Sequence, residues 1–310
     1  MVDIIIPVYN ARDTISKTLY SILLQSNLKD LHVYLIDDAS SCSYDDIISF
    51  FSKKMDLHYF RLEKNSGPGA ARQYGIEHSH SKYIMFCDSD DVFYDYFAIE
   101  NLMLFMNGGG YDVSLGMIVE KFDNEINLYP VRFDVLHAKM YRRSFLKKHQ
   151  ITFPNQYNAE DLAFNNLILM HSPKIGYCNY DTVYVYVRRD GSLTCTNDYY
   201  ALKHIRSYVD GLKWAVTRAE ETSCKKEDIA KIVMESFAYF YFYFSEDYYE
   251  ESMKYVIGAL SLYDDYHSYI RDKDKETSLN FWFGFLGSQK YEFSFEDFIA
   301  FCRDREGDYR

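Results

Sequence analysis

Tyr83-Ile84-Met85-Phe86-Cys87-Asp88-Ser89-Asp90-Asp91 is the segment on which the fold turns. An apolar run with the character of a buried strand ends in three carboxylates with one serine among them. Buried strands ordinarily end in Gly, Asn or a single Asp. Three acids at one strand end repel one another unless a cation sits among them. Oxygen ligands in a short D-x-D spacing suit a hard divalent ion such as Mg²⁺ or Mn²⁺, above all one already carrying phosphates. An isolated D-x-D is more often a solvated acidic turn. The elements that precede it decide between the two.

Working outward, Val2 to Ile6 is β-rich and stops at Pro7, and Val8-Tyr9-Asn10 leads into a helical pattern over Ala11 to Gln25. In that pattern Ile15, Leu19, Ile22 and Leu23 share a face. His32 to Ile36 reads as a strand ending in Asp37-Asp38-Ala39-Ser40, followed by a helix over 44–52 and a strand over 57–62. Gly67-Pro68-Gly69 opens a helix to about His78. Strands alternating with helices predict βαβ units and a mostly parallel sheet flanked by helices, with ligands at the carboxyl ends of the strands. The distinctive loops (7–10, 37–40, 65–72, 88–91) all fall at those ends and converge on one crevice.

Beyond a helix at 96–106 and the turn Asn107-Gly-Gly-Gly110, strands are expected at 112–122, 126–133, 174–177 and 182–187. Helices are expected at 142–149 and 159–170. From Tyr199 the pattern is almost wholly helical, over 199–221, 226–244, 248–263 and 295–303. The expected domains are therefore 1–198, α/β, and 199–310, helical and aromatic-rich. Phe237, Phe240, Tyr241 and Phe244 recur at helical spacing and read as core. Trp214 and Trp282 are candidates for glycan stacking, and the C-terminal helices for self-association.

The 310 residues suffice for an α/β core and an appended subdomain, and 48% hydrophobic with 26% charged content is globular. A net charge of −12 opposes a broad nucleic-acid surface. Six cysteines without a C-x-x-C pair fit reduced thiols. No signal peptide or membrane-length apolar run is read, and the expected location is cytoplasmic.

The loops have chemistry in common. Asp37-Asp38 either caps the following turn or offers a carboxylate to a uracil N3–H or a ribose hydroxyl. Tyr9 either stacks on a base or packs on the sheet. Gly67 lets backbone approach a ligand, the helix behind presents N–H groups suited to phosphate, and Arg72 adds a fixed charge. A nucleoside diphosphate with its metal accounts for all four loops.

The order Pro7-Val-Tyr-Asn10, Ile36-Asp-Asp-Ala-Ser40, Gly67 to Arg72 and Phe86-Cys-Asp-Ser-Asp-Asp91 resembles the family 2 glycosyltransferases of GT-A fold, a Rossmann-like architecture. The resemblance covers about residues 1–195 and extends to later segments. His137-Ala-Lys139-Met-Tyr141-Arg-Arg143 is similar to the family's K-x-Y-R-R segment, and Glu160-Asp161-Leu-Ala-Phe164 to its E-D-x-x-F motif. Tyr186-Val-Arg188-Arg189-Asp-Gly191-Ser192 is similar to its Y-R-x-x-G-S loop. Cys87, where Leu is usual, departs from the pattern.

This resemblance implies inverting transfer of a sugar from a UDP-sugar or other nucleotide-sugar to a hydroxyl acceptor on a glycan, lipid or protein. Asp161 would be the general base and Glu160 its support. Asp90 and Asp88 would hold Mn²⁺ or Mg²⁺. Pro7, Tyr9, Asp38, Gly67, Arg72 and Asp88 would line the donor site, with Arg188 and Arg189 folding over the diphosphate. His137, Lys139 and Asp91 would stand by the acceptor or behind the ligands. Two other readings remain at this point. One is transfer to hydroxymethylated bases in DNA, with Lys139, Arg142, Arg143, Lys147 and Lys148 as a phosphate rim; the other is a non-catalytic module binding nucleotide-sugar or glycan.

Overall fold

A computed structural model describes residues 1–122, 125–129, 135–156, 158–188, 199–242, 249–286 and 294–308. They fall into two compact units, one from Met1–Asn165 with Pro173–Cys195, the other from Asn166–Ser172 with Thr196–Arg310.

The first unit begins β1 (Val2–Val8), α1 (Arg12–Leu23), β2 (Leu31–Asp37), α2 (Asp45–Phe51), β3 (Asp56–Arg61), α3 (Pro68–His78) and β4 (Tyr83–Phe86). It continues through β5 (Val92–Phe93), α4 (Ala98–Gly109), β6 (Val113–Phe122), β7 (Glu125–Tyr129), β8 (Lys139–Arg142), α5 (Arg143–Lys148), the start of α6 (Glu160–Met170, counted with the second unit from Asn166) and β9 (Ile175–Val187). The sheet runs β3-β2-β1-β4-β8-β6-β9-β5, with β7 paired to β6. β3, β2, β1 and β4 are parallel, β8 is antiparallel to both β4 and β6, and β6 and β9 are parallel.

The expected mostly parallel sheet flanked by helices is the one found. Its central strand β1 is buried at every position, and Ile4, Ile5 and Ile6 have no exposed surface. A strand covered on both faces needs such a continuous apolar run, and each fully buried Ile contributes about 1.5–3 kcal/mol. Ile15, Leu19 and Ile22 of α1 pack into the same core as Val33 and Leu35 of β2. Pro7 is accommodated inside β1, opposite Ile36.

Several elements differ from expectation: the helix expected over 248–263 is broken into Tyr249–Ile257 and Leu260–Tyr266, and Val92–Phe93 is a short strand. Lys139–Arg142 is a strand, inserted antiparallel beside β4. The runs 174–177 and 182–187 join into one strand, β9, whose pairing with β6 shifts register near Leu115 and Met117. Its polar centre, Asn179-Tyr180-Asp181, looks like a turn but is carried across that irregularity. Asp272–Leu286 is a helix whose charged opening, Asp-Lys-Asp-Lys-Glu, hides its periodicity.

In the second unit α7 (Tyr199–Glu221), α8 (Lys226–Phe242), α9 (Tyr249–Ile257), α10 (Leu260–Tyr266), α11 (Asp272–Leu286) and α12 (Phe295–Asp304) follow in order. Phe237, Phe240 and Tyr241 are core residues, as their spacing predicts, while Phe244 lies outside the described residues. Trp214 is partly buried, and the Trp282 side chain is outside the described residues. Ser294 and Asp297 form a reciprocal capping box at the start of α12. Among the described residues, no helix is long and apolar enough to cross a membrane.

Candidate active site

The carboxyl ends of β1, β2 and β4 carry the loops singled out above, and α3 and α6 begin beside them. Asp38 follows β2 and is 3% exposed. Its two carboxylate oxygens accept from the backbone N–H groups of Ser66, at 2.7 Å, and Gly67, at 2.8 Å. Asp38 therefore fixes the loop that opens α3, and Gly67 supplies the φ of 88° which that loop needs. Pro7 is buried in β1, while Tyr9, just past its end, is half exposed.

Arg72, on the buried side of α3, forms two ion pairs. One terminal nitrogen donates to Glu160 Oε1 at 2.7 Å and the other to Asp88 Oδ1 at 2.7 Å. Among the described residues, its Nε is buried without a partner. Sequence suggests that Arg72 contacts base or phosphate; here both terminal nitrogens are engaged with protein carboxylates. Gly69 makes the approach of α3 to Glu160 possible, because a Cβ there would lie 2.9 Å from Glu160 Cγ.

Burial raises the Asp88 carboxyl, but Arg72 and His137 outweigh it and hold it below the ordinary range. For Glu160, burial dominates even against Arg72, and Asp161 adds to it, so its carboxyl is pushed up to about 7. One guanidinium shared by two carboxylates neutralises one of them. Asp88 keeps the charge, and Glu160 holds a proton near neutrality.

A group raised in this way stabilises the fold fully below its unfolded value of about 4.5, and that contribution is lost as pH rises through about 7. Glu160→Gln should therefore flatten the pH dependence of the melting temperature between those values. The wild type should lose about 3 kcal/mol relative to the variant across the same window. Parallel curves from pH 4.5 to pH 8 would contradict a buried, protonated Glu160.

Beyond β4, Asp88, Asp91 and His137 each present a ligand atom, all within 4.8 Å of one another. His137 Nδ1 lies 3.9 Å from Asp88 Oδ2. Burial lowers the His137 pKa, with Asp88 opposing, which favours a neutral ring able to ligate. Burial, reinforced by Asp88 and then Asp90, pushes the Asp91 carboxyl well up. This donor set, two carboxylates and an imidazole in one partly buried place, fits a divalent cation that would relieve the repulsion. Asp90 is partly buried and outside that group of three, although its charge bears on Asp91.

Asp161 is partly exposed in the first turn of α6, its Oδ1 accepting from the Leu162 N–H at 2.8 Å. Lys139 is buried on β8. Arg188, exposed at the end of β9, lies over the Phe122 ring at 5.1 Å, and Arg189 is outside the described residues. Ala39, Ala138 and Ala159, next to Asp38, His137 and Glu160, all take positive φ, from 54° to 59°. Such strain in non-glycine residues gathers at functional sites, and it points to the same crevice.

The sequence reading missed Tyr184. This buried residue of β9 touches Asp88, Asp91 and His137. The alternation Tyr184–Tyr186, which puts both rings on one face of the strand, is the signal that was available.

A sheet of this order with an acidic cluster at the end of β4 is the GT-A arrangement. The fold matches Staphylococcus aureus TarS 1–349, crystallised with UDP-GlcNAc, at a TM-score of 0.68 and 16% identity over 94% of this chain and 93% of that one. It also matches the mannosyltransferase PcManGT of Pyrobaculum calidifontis, in complex with GDP-Man and Mn²⁺, at 0.56 and 11% identity over 98% and 86% of the two chains. At these identities the likeness is one of fold.

The profile described as "Glycosyl transferase family 2" matches residues 3–164, and the chain belongs to that family. The poly(ribitol-phosphate) beta-glucosyltransferase of Bacillus spizizenii is 31% identical over 212 residues, 61% of this chain and 33% of that protein. The poly(ribitol-phosphate) beta-N-acetylglucosaminyltransferase TarS of Staphylococcus aureus is 28% identical over 205 residues, 61% and 36% of the two. These matches span about a third of the length of each relative.

Proposed function

We propose that this chain is an inverting, metal-dependent glycosyltransferase. It moves a sugar from a UDP-sugar to a hydroxyl of a surface glycan or glycoconjugate. The observation that carries this is the convergence of Asp88, Asp91 and His137, braced by Arg72 and Glu160, at the carboxyl end of β4. UDP is favoured by the UDP-GlcNAc bound in the TarS neighbour. A polyol-phosphate polymer is the acceptor class suggested by the names of two relatives, and the net charge of −12 opposes duplex DNA.

Asp88, Asp91 and His137 would hold Mn²⁺ or Mg²⁺, with Asp90 beside them. Bound there, the cation supplies charge neutralisation to the departing diphosphate. Asp161 accepts the proton of the acceptor hydroxyl as that oxygen bonds to the anomeric carbon. The bond from that carbon to the diphosphate oxygen breaks, and its electron pair leaves with UDP. Attack opposite the leaving group inverts the centre. Arg72 acts from behind, keeping Asp88 ionised and Glu160 in place. Asp38 shapes the donor loop through the 66–67 amides, and Arg188 with Arg189 covers the diphosphate. The helical C-terminal region, 199–310 as read from the sequence, serves the acceptor or self-association. Release of UDP from a UDP-sugar with Mn²⁺, compared with EDTA, tests the proposal.

A further inference from the structure

Tyr184 has no exposed surface, yet its hydroxyl serves two members of the acidic turn. It accepts from the Asp88 N–H at 2.9 Å and donates to Asp91 Oδ2 at 2.9 Å. Its ring stacks on His137, with centroids 5.0 Å apart and planes 17° apart. Asp91 Oδ1 accepts from the Val187 N–H at 2.7 Å, so this one carboxylate is bonded to β9 at two points. The pairing of Val92 with Val185 and of Phe93 with Tyr184 fixes the register that makes both bonds possible. Core packing alone would be met by Phe at this position. The hydroxyl is the part that core packing does not explain, and its bonds to Asp88 and Asp91 lie at the candidate metal site.

Resting on the reading above, we infer that Tyr184 is a positioning residue for the cation site. One phenol sets the Asp88 backbone, the Asp91 carboxylate and the His137 ring in a single arrangement. Groups behind metal ligands tune affinity because they fix ligand direction before the ion arrives. The pair Asp91–Tyr184 also ties the acidic turn to the strand that leads into Arg188.

Mn²⁺ binding to the full chain, followed by electron paramagnetic resonance without nucleotide and with UDP, tests this. Tyr184→Phe keeps the ring on His137 and removes only the hydroxyl. It should weaken Mn²⁺ binding by about 10-fold or more, while a cooperative thermal transition shows that the variant is folded. Tyr266→Phe removes a hydroxyl bonded to Glu220 in the helical unit and should keep wild-type Mn²⁺ affinity.

A Tyr184→Phe affinity within about twofold of wild type would overturn the inference alone. Absence of Mn²⁺ binding by the wild type would overturn it together with the proposed function. Should Tyr184→Phe not fold, hydrogen exchange of the wild type decides. Slow exchange of the Asp88 and Val187 amides supports the arrangement, and fast exchange of both overturns it.

Discussion

Asp161→Asn should lower sugar transfer by about 10²–10⁴-fold, the range for loss of a general base. Metal-dependent UDP binding should survive. The substitution keeps the shape of the side chain and its bond to the Leu162 N–H, so the first turn of α6 is retained. What it removes is a carboxylate able to accept the acceptor's proton. It also removes a charge that helps hold Glu160 protonated, so the Glu160 pKa should fall in the variant. Steady-state rates with a UDP-sugar and calorimetry with UDP separate the two effects. Loss of UDP binding would move Asp161 into the donor site, and an unchanged rate would remove it from catalysis.

Arg72→Met should be the most destabilising single change at the site. Arg72 is 5% exposed and holds two carboxylates at 2.7 Å each. Breaking a buried ion pair from one side costs about 3–5 kcal/mol, because the remaining charge stays buried without compensation. For a unit of this size that is on the order of 10 °C in melting temperature. Protonation of Glu160 absorbs part of the cost, so the loss should grow as pH rises. Arg72→Lys should recover only part of it, because an ammonium lacks the planar fork that reaches both carboxylates. A variant that melts with the wild type would show that the guanidinium does not hold the site together.

Half of this architecture is legible in the sequence because its signals are local. The apolar runs of β1, β2 and β4, each closed by polar loops, announce a parallel sheet and the end of it where the chemistry sits. The short strand Lys139–Arg142 is not legible, since a four-residue segment with basic ends has no period to detect. At the site, the acids stand out because they sit at a strand end, but their division of labour does not. Asp38 reads as a base-recognising or capping carboxylate, and its bonds to two backbone amides of the next loop are not visible in the sequence. Arg72 reads as a contact to base or phosphate, and its pairing with Glu160 and Asp88 is a further role that only the fold reveals. Tyr184 is one of 31 tyrosines, and its alternation with Tyr186 places it on a strand face without telling what that face meets. Its role depends on contacts with residues more than ninety positions away, which only the folded sheet brings together.

The most direct measurement is UDP release from UDP-glucose and UDP-GlcNAc by the wild type, with Mn²⁺ and then with excess EDTA. The account predicts turnover of at least one donor with Mn²⁺, loss of that turnover with EDTA, and its return when Mn²⁺ is restored. Turnover that persists in EDTA would contradict the role given to Asp88, Asp91 and His137. Absence of both UDP release and UDP binding across a panel of donors would contradict the glycosyltransferase reading itself.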